Sequence, residues 1–255
     1  MAKIGLAIIL VVLLSLLGST LVVAAPDEVK WSRVNIPTEG KLGDWVLGSG
    51  SDVQYLTLAI DGILYGYADP SGASNTLFKS IDGGYSWEDT DYDKAIVALV
   101  SSSIDADIIY VSDGSHVYKS DDAGDSFDEL AAGSLDALDF ASTGEEITCL
   151  AVGYIDDEPY VFIGTANDAA GGGVYFIHDV ALGGGWTDLD VGSYDVYSIA
   201  CSPKFGTDSQ VIAVATDKVH TYVTYNYGVM SEWNRVELLD GDGNSFAITA
   251  ASKIC

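Results

Sequence analysis

The sequence predicts an all-β fold assembled from repeated units, and three observations carry that prediction. Short runs rich in Val, Ile, Tyr and Thr alternate with clusters of Gly, Asp, Ser and Asn; examples are Ile108-Ile109-Tyr110-Val111, Tyr160-Val161-Phe162-Ile163 and Val211-Ile212-Ala213-Val214. This is the pattern of short strands joined by tight turns. After the N-terminal apolar run no long amphipathic helical period follows. A nine-residue segment also recurs: 79–87 reads KSIDGGYSW and 119–127 reads KSDDAGDSF, 40 residues later.

The chain opens differently. Residues 4–25 carry no charge and follow Lys3, which reads as a secretory leader with a small-residue exit at Val22-Val23-Ala24-Ala25 and cleavage after Ala24. The alternative is that the same 22 residues remain as a membrane tether, being long enough for a hydrocarbon core of about 30 Å. Either way residues 26–255 are expected outside the cytoplasm, secreted or at the cell surface, as one domain behind a leader or anchor at 1–25. No cysteine follows the apolar run, so a lipoprotein anchor is not expected.

The formal charge is −27, and losing Lys3 with the leader makes it −28. Such a surface repels phosphate backbones and anionic lipid, which excludes nucleic acid as an expected partner. Acidic residues are spread along the whole chain, as on a solvated surface whose self-repulsion salt screens; the functional reading of the same charge is attraction of cations or basic partners. Three cysteines cannot all pair internally. Cys149 and Cys201 stand in apolar β-like runs and are expected as buried free thiols, with a disulfide between them the alternative; Cys255 is the final residue.

The repeated segment reduces to S-x-D-x-G-x-S-[WF], and its residue types have a physical reading. Asp82 or Asp122 can fold its carboxylate onto backbone N–H groups of the turn, while Gly84 or Gly124 tolerates the positive φ of a tight hairpin. Trp87 or Phe127 then starts the outgoing strand and covers the turn. Units follow at 55–91, 95–131, 146–192 and 195–240, with degenerate versions of the motif at 178–186 and 225–233. Residues 130–141, rich in Ala, Leu and Asp, are expected to make a short helical turn within a loop.

The motif resembles the Asp-box, or BNR repeat, of sialidases, sortilin-like receptors, xyloglucan-degrading glycosidases and photosystem II assembly factors. The resemblance implies a β-propeller of four-stranded blades in which the box closes the hairpin between the third and fourth strands. It implies a structural role, distant from the ligand face, for Ser80, Asp82, Gly84 and Trp87 and for Ser120, Asp122, Gly124 and Phe127. Residues 30–34 then look like a fourth strand and 245–252 like the first strand of a fifth unit. The expectation is an incomplete ring of about four blades plus partial strands, a piece of a longer product; the alternative is a small irregular propeller of four to five blades.

Catalytic constellations are sparse. A sialidase site needs three converging arginines to clamp a carboxylate, and the chain holds two, Arg33 and Arg235, each beside a strand-leading tryptophan. With 38 acidic residues, some pair will always stand at hydrolytic spacing, so the spacing of carboxylates does not by itself mark a glycosidase. His116, His178 and His220 look isolated, and the glycine runs 171–173 and 183–185 read as hairpin loops, not phosphate cradles. Asp240, Asp242 and Asn244 alternate as at the start of a calcium loop, but Ala251 stands where the twelfth-position glutamate belongs. Asp89, Asp91 and Asp93 alternate likewise, and with Asp188, Asp190 and Asp195 they occupy connections between units, expected on one face opposite the boxes. They read as turn residues kept soluble by charge, with calcium or a basic partner as the functional alternative.

No catalytic residue is assigned. The expected function is a non-catalytic extracytoplasmic module that binds a protein or glycan ligand or acts as a scaffold. The alternatives are a glycoside hydrolase completed by residues beyond 255, or an assembly factor for a membrane complex.

Overall fold

The computed structural model describes residues 53–68, 75–131, 140–180, 184–227 and 232–248, all within the unit that runs from Pro37 to Cys255. Their strands form four antiparallel four-stranded sheets, each made of strands consecutive in sequence. Blade 1 holds β1 (Val53–Leu58), β2 (Leu64–Ala68), β3 (Leu77–Ser80) and β4 (Glu88–Asp89). Blade 2 holds β5 (Ala98–Ser101), β6 (Ile109–Ser112), β7 (Val117–Ser120) and β8 (Asp128–Glu129). Blade 3 holds β9 (Glu146–Ile155), β10 (Glu158–Ala166), β11 (Val174–His178) and β12 (Thr187–Asp188). Blade 4 holds β13 (Asp195–Cys201), β14 (Gln210–Thr216), β15 (Thr221–Tyr227) and β16 (Asn234–Leu238). Two single-turn helices, α1 (Phe140–Thr143) and α2 (Phe205–Asp208), are the described helical segments.

Because each sheet is a simple meander, its first-to-second and third-to-fourth connections lie at one end. The second-to-third connections and the links between blades lie at the other. The first strands of successive blades are neighbours, so β1, β5, β9 and β13 are the inner strands.

Period-two alternation of apolar residues gives every blade two faces. Tyr65, Tyr67 and Leu77 of blade 1 pack on Ile109, Val111 and Tyr118 of blade 2. Tyr110 and Val117 of blade 2 pack on Val161, Ile163 and Tyr175 of blade 3. Phe162 and Val174 of blade 3 pack on Val196, Val211 and Ala213 of blade 4. Each fully buried aliphatic or aromatic side chain contributes about 1.5–3 kcal/mol of transfer free energy, so these three interfaces are the core. Polar contacts cross them too: Lys119 Nζ lies 2.7 Å from Asp179 Oδ2, and the Tyr110 hydroxyl donates to the same oxygen at 2.9 Å.

One pairing recurs in every blade. The second residue of the third strand is aromatic and stands opposite a carboxylate on the fourth: Phe78 with Asp89, Tyr118 with Glu129, Tyr175 with Asp188 and Tyr222 with Glu237. The fourth strand is the sheet edge, where charge discourages pairing with foreign strands.

Two expectations change at residue level. Residues 245–248 do not form a strand; Ser245 makes a single bridge to Leu239, and Thr221 Oγ1 both donates to the Phe246 carbonyl oxygen and accepts from Ile248 N–H. The cause is a tight turn at 240–244, where Asp240 Oδ1 accepts the N–H groups of Asp242 and Asn244 and folds the chain back onto blade 4. The helical turn expected at 130–141 is found at Phe140–Thr143, while 132–139 lie outside the described residues. So do the leader at 4–25, the strand expected at 30–34, residues 249–252, Arg33 and Cys255. Cys149 and Cys201 are free. Among the described residues no helix is long and apolar enough to cross a membrane.

Candidate functional site

The two repeated turns adopt one geometry. Ser80 Oγ accepts Gly84 N–H at 2.8 Å and donates to Asp82 Oδ1 at 2.9 Å. Asp82 Oδ1 accepts Ser86 N–H at 2.8 Å, and Oδ2 accepts the Ser86 hydroxyl at 2.6 Å. In the next blade Ser120, Asp122, Gly124 and Ser126 repeat these contacts at 2.8, 2.8, 2.8 and 2.6 Å. The Ser86 bonds hold the Asp82 carboxyl down at about 2, and those from Ser126 lower Asp122. Trp87 Nε1 donates to the Gly84 carbonyl oxygen at 3.2 Å, and Phe127 packs edge-on to Tyr92. The motif's serine and aspartate side chains are thus bonded within their own turns, which close β3–β4 and β7–β8. They sit at the end of the strands where the inner strands finish.

The opposite end, where the inner strands begin, carries a funnel of about 700 Å³. Tyr55 of β1, Glu146 of β9, Asn167 and Asp168 of the β10–β11 connection and Tyr197 of β13 line it. Two aromatic rings and two exposed carboxylates thus face one space, and among the described lining residues there is no Lys, Arg or His. Burial raises the Tyr197 hydroxyl, and the fields of Asp195, Asp168 and Glu146 raise it further. The potential in the funnel is therefore negative.

Its rim is built from neighbouring blades. Asp195 is 3% exposed, and its Oδ1 accepts Asn167 N–H at 2.9 Å and Gly172 N–H at 3.1 Å. Asn167 Oδ1 accepts the N–H groups of Ala169 and Ala170, which tightens the connection further. A Cβ on Gly172 would stand 2.0 Å from the Thr165 carbonyl oxygen, so the turn requires glycine there. Lys218 Nζ donates to the carbonyl oxygens of Asn167 and Asp168 at 2.7 and 2.6 Å and lies 3.6 Å from Asp195 Oδ2. Glu145 anchors the inner wall by accepting the hydroxyls of Thr165 and Tyr175 at 2.7 and 3.1 Å.

The histidines expected to be isolated are paired. His116 Nδ1 is 3.6 Å from Asp113 Oδ2, His220 Nδ1 is 3.0 Å from Asp217 Oδ2, and His178 Nε2 is 2.9 Å from Glu158 Oε2. The first two pairs belong to one constellation present twice. Asp113 Oδ1 accepts Ser115 and His116 N–H while Oδ2 accepts the Tyr118 hydroxyl; Asp217 Oδ1 accepts Val219 and His220 N–H while Oδ2 accepts the Tyr222 hydroxyl. The sequence holds the signal, as 112–118 reads SDGSHVY and 216–222 reads TDKVHTY. Both constellations close second-to-third connections, at the funnel's end of the blades. Backbone bonds to His220, and its ring, bring the Asp217 carboxyl to about 2 against the opposing effect of burial, the largest single influence.

The remaining candidates fall elsewhere. Asp240 accepts two backbone N–H groups and the Asn244 side-chain amide, while Asp242 is exposed; among the described residues no three His, Cys, Asp or Glu side chains are grouped to hold a metal ion. Asp91, Asp93 and Asp190 are exposed on connections between blades, whereas Asp89 and Asp188, expected there too, stand exposed on β4 and β12, paired with Phe78 and Tyr175; Asp91 N–H donates to the Gly124 carbonyl oxygen of the next blade's turn. Arg235 reaches the Tyr194 hydroxyl at 2.6 Å and the Val191 carbonyl oxygen at 2.9 Å, on an outer strand.

No protein-family model matches the chain, and no curated protein does. Solved structures do. The chain is similar to the GH74 xyloglucanase from Xanthomonas campestris, with 18% identity over 73% of this chain and 30% of that one and a TM-score of 0.50. It is similar to an ancestral GH74 enzyme, with 12% identity over 74% and 28% and a TM-score of 0.51. The structure of YCF48 bound to D1 peptide matches at 10% identity over 78% and 58%, with a TM-score of 0.49. The fold is that of a β-propeller. The chain spans under a third of the length of the two GH74 structures, and at these identities the likeness is one of fold.

Proposed function

We propose that this propeller is a non-catalytic binding module outside the cell and that its ligand is a protein segment presenting a Lys or Arg side chain to the funnel. The observation that carries the reading is the convergence of Tyr55, Tyr197, Glu146 and Asp168 on one space of about 700 Å³. A cation is attracted both to tyrosine faces and to the carboxylates. The repeated turns are Asp-boxes in this reading, and their self-satisfied hydrogen bonds suit a structural device away from the ligand. Residues 4–25 act as the leader or tether that puts the module outside, a point settled by N-terminal sequencing of the mature protein.

The test is titration of the protein with an oligolysine peptide at low and at 0.5 M salt. Saturable binding that weakens with salt and is lost in Glu146→Gln/Asp168→Asn supports the reading. Unchanged affinity in that variant removes it. Release of reducing sugar from a β-glucan or other glycan would replace it with the glycoside hydrolase reading.

A further inference from the structure

Both carboxylates of the funnel come from blade 3: Glu146 opens β9, and Asp168 stands in the β10–β11 connection. The blades packed on either side of it, 2 and 4, close their second-to-third connections with the same turn, at 112–118 and 216–222. In each turn a buried hydroxyl, Ser112 or Thr216, accepts the N–H of the residue after the aspartate, at 3.1 or 3.0 Å. The aspartate N–H donates to the histidine carbonyl oxygen at 3.3 Å in both, and the histidine and tyrosine rings stand 6.1 Å apart in both. The residue after the aspartate is Gly114 in one turn and Lys218 in the other, and both are left-handed, with φ +98° and +72°.

That one position meets blade 3 in both cases. The Gly114 carbonyl oxygen accepts Ile147 N–H at 2.7 Å. A Cβ on Gly114 would lie 3.6 Å from both Cγ and Oε1 of Glu146, so the turn runs against the Glu146 side chain. From the other side, Lys218 Nζ donates to the carbonyl oxygens of Asn167 and Asp168 and lies 3.6 Å from Asp195 Oδ2. A lysine adopts this backbone conformation only with strain; a glycine would suit the turn but would bring no ammonium to the loop that carries Asp168.

We infer that these two turns are positioning elements of the funnel, blade 2 setting Glu146 and blade 4 setting Asp168, with Asp113 and Asp217 as the positioning residues. Both lie outside the funnel's lining, and each acts by closing its turn. Oδ1 takes two backbone N–H groups while Oδ2 takes the tyrosine hydroxyl beside the histidine ring, so neither oxygen can swing away without freeing the partners of the other. A carboxylate set in place beforehand spares the ordering cost that a mobile one meets on binding. The effect on affinity rests on the funnel being the ligand site; the placement of the two carboxylates does not.

The experiment compares Asp113→Ala, Asp217→Ala and the matching asparagine variants of the full chain, with thermal melts to confirm folding. Asparagine keeps the acceptor for the backbone N–H groups and loses the charge, whereas alanine loses both. Without ligand, hydrogen exchange should rise at Ile147 in Asp113→Ala and at 167–172 in Asp217→Ala, and stay close to wild type in the asparagine variants. Oligolysine binding should weaken about 3- to 10-fold in each alanine variant, the loss expected for one side chain that must be ordered on binding, and the two losses should multiply in the double variant. In a Glu146→Gln background Asp113→Ala should have no further effect, while Asp217→Ala keeps its own. Where an alanine variant does not fold, Lys218→Met is the second probe: loss of a cation beside a negative funnel tightens oligolysine binding by charge alone, and positioning predicts weaker binding. Equal weakening by alanine and asparagine, or unchanged exchange at both segments, would overturn the inference. The exchange measurement decides it even if the wild type binds no peptide, a result that counts against the funnel as the ligand site and not against the positioning.

Discussion

Lys218 Nζ donates to the Asn167 carbonyl oxygen at 2.7 Å, so a turn of blade 4 holds the funnel rim that blade 3 supplies. The lysine is partly exposed and its bonds carry little stability by themselves. Lys218→Met should therefore shift unfolding free energy by less than about 1 kcal/mol while raising amide exchange at 167–172. Asp195→Ala should cost about 1–3 kcal/mol, because it orphans two N–H groups beneath the rim. Denaturant unfolding of the two variants, with exchange measured on the first, separates the two effects.

The two repeated turns place different residues at one left-handed backbone position. Gly83 has φ +76° and Ala123, its counterpart, φ +57°, a left-handed conformation that an alanine adopts at a cost of about 1–2 kcal/mol. Ala123→Gly should stabilise by up to about 1 kcal/mol, and Gly83→Ala should destabilise by a similar amount. The space around Gly83 is open, so a loss there reports conformation and not a clash. Thermal denaturation of the pair provides the check.

Acid should loosen the two repeated turns. The Asp82 carboxyl sits at about 2 because of its bonds to Ser86, below the unfolded value of about 3.9. A depressed folded value adds stability that is full above pH ~4 and is lost as pH falls through ~2. Asp82→Asn/Asp122→Asn should lower the melting temperature at pH 6 and flatten its fall between pH 4 and 2 relative to wild type. An identical pH slope in both proteins would show that these carboxylates do not carry the acid response.

Burial raises the Cys149 and Cys201 thiols to about 12, leaving almost no thiolate at pH 8. In a Cys255→Ser background, a disulfide-exchange reagent should titrate neither thiol in the native protein and both after denaturation.

The blades are legible in the sequence because alternation and turn residues are local. The unit 55–91 takes in β1–β4 except for the first two residues of β1, 95–131 brackets β5–β8, and 146–192 and 195–240 bracket the strands of blades 3 and 4 without an intact motif. What the reading misses is set by contacts between units. Asp195 looks like one more surface carboxylate until the 167–173 connection folds over it. His116 and His220 look isolated because a hairpin turn, not a helical period, brings each to the aspartate three residues earlier. A search for repeats at blade spacing alone passes over their shared motif, which recurs two blades later. At 245–248 strand-like composition is overridden by the turn that Asp240 closes.

Hydrogen exchange with and without saturating oligolysine tests the ligand face most directly. Protection should appear at 143–148 and 166–170, around the funnel, and leave the repeated turns at 80–87 and 120–127 unchanged. Protection at the repeated turns, or no protection at the funnel under saturating peptide, would contradict a binding site at the end of the blades where the inner strands begin.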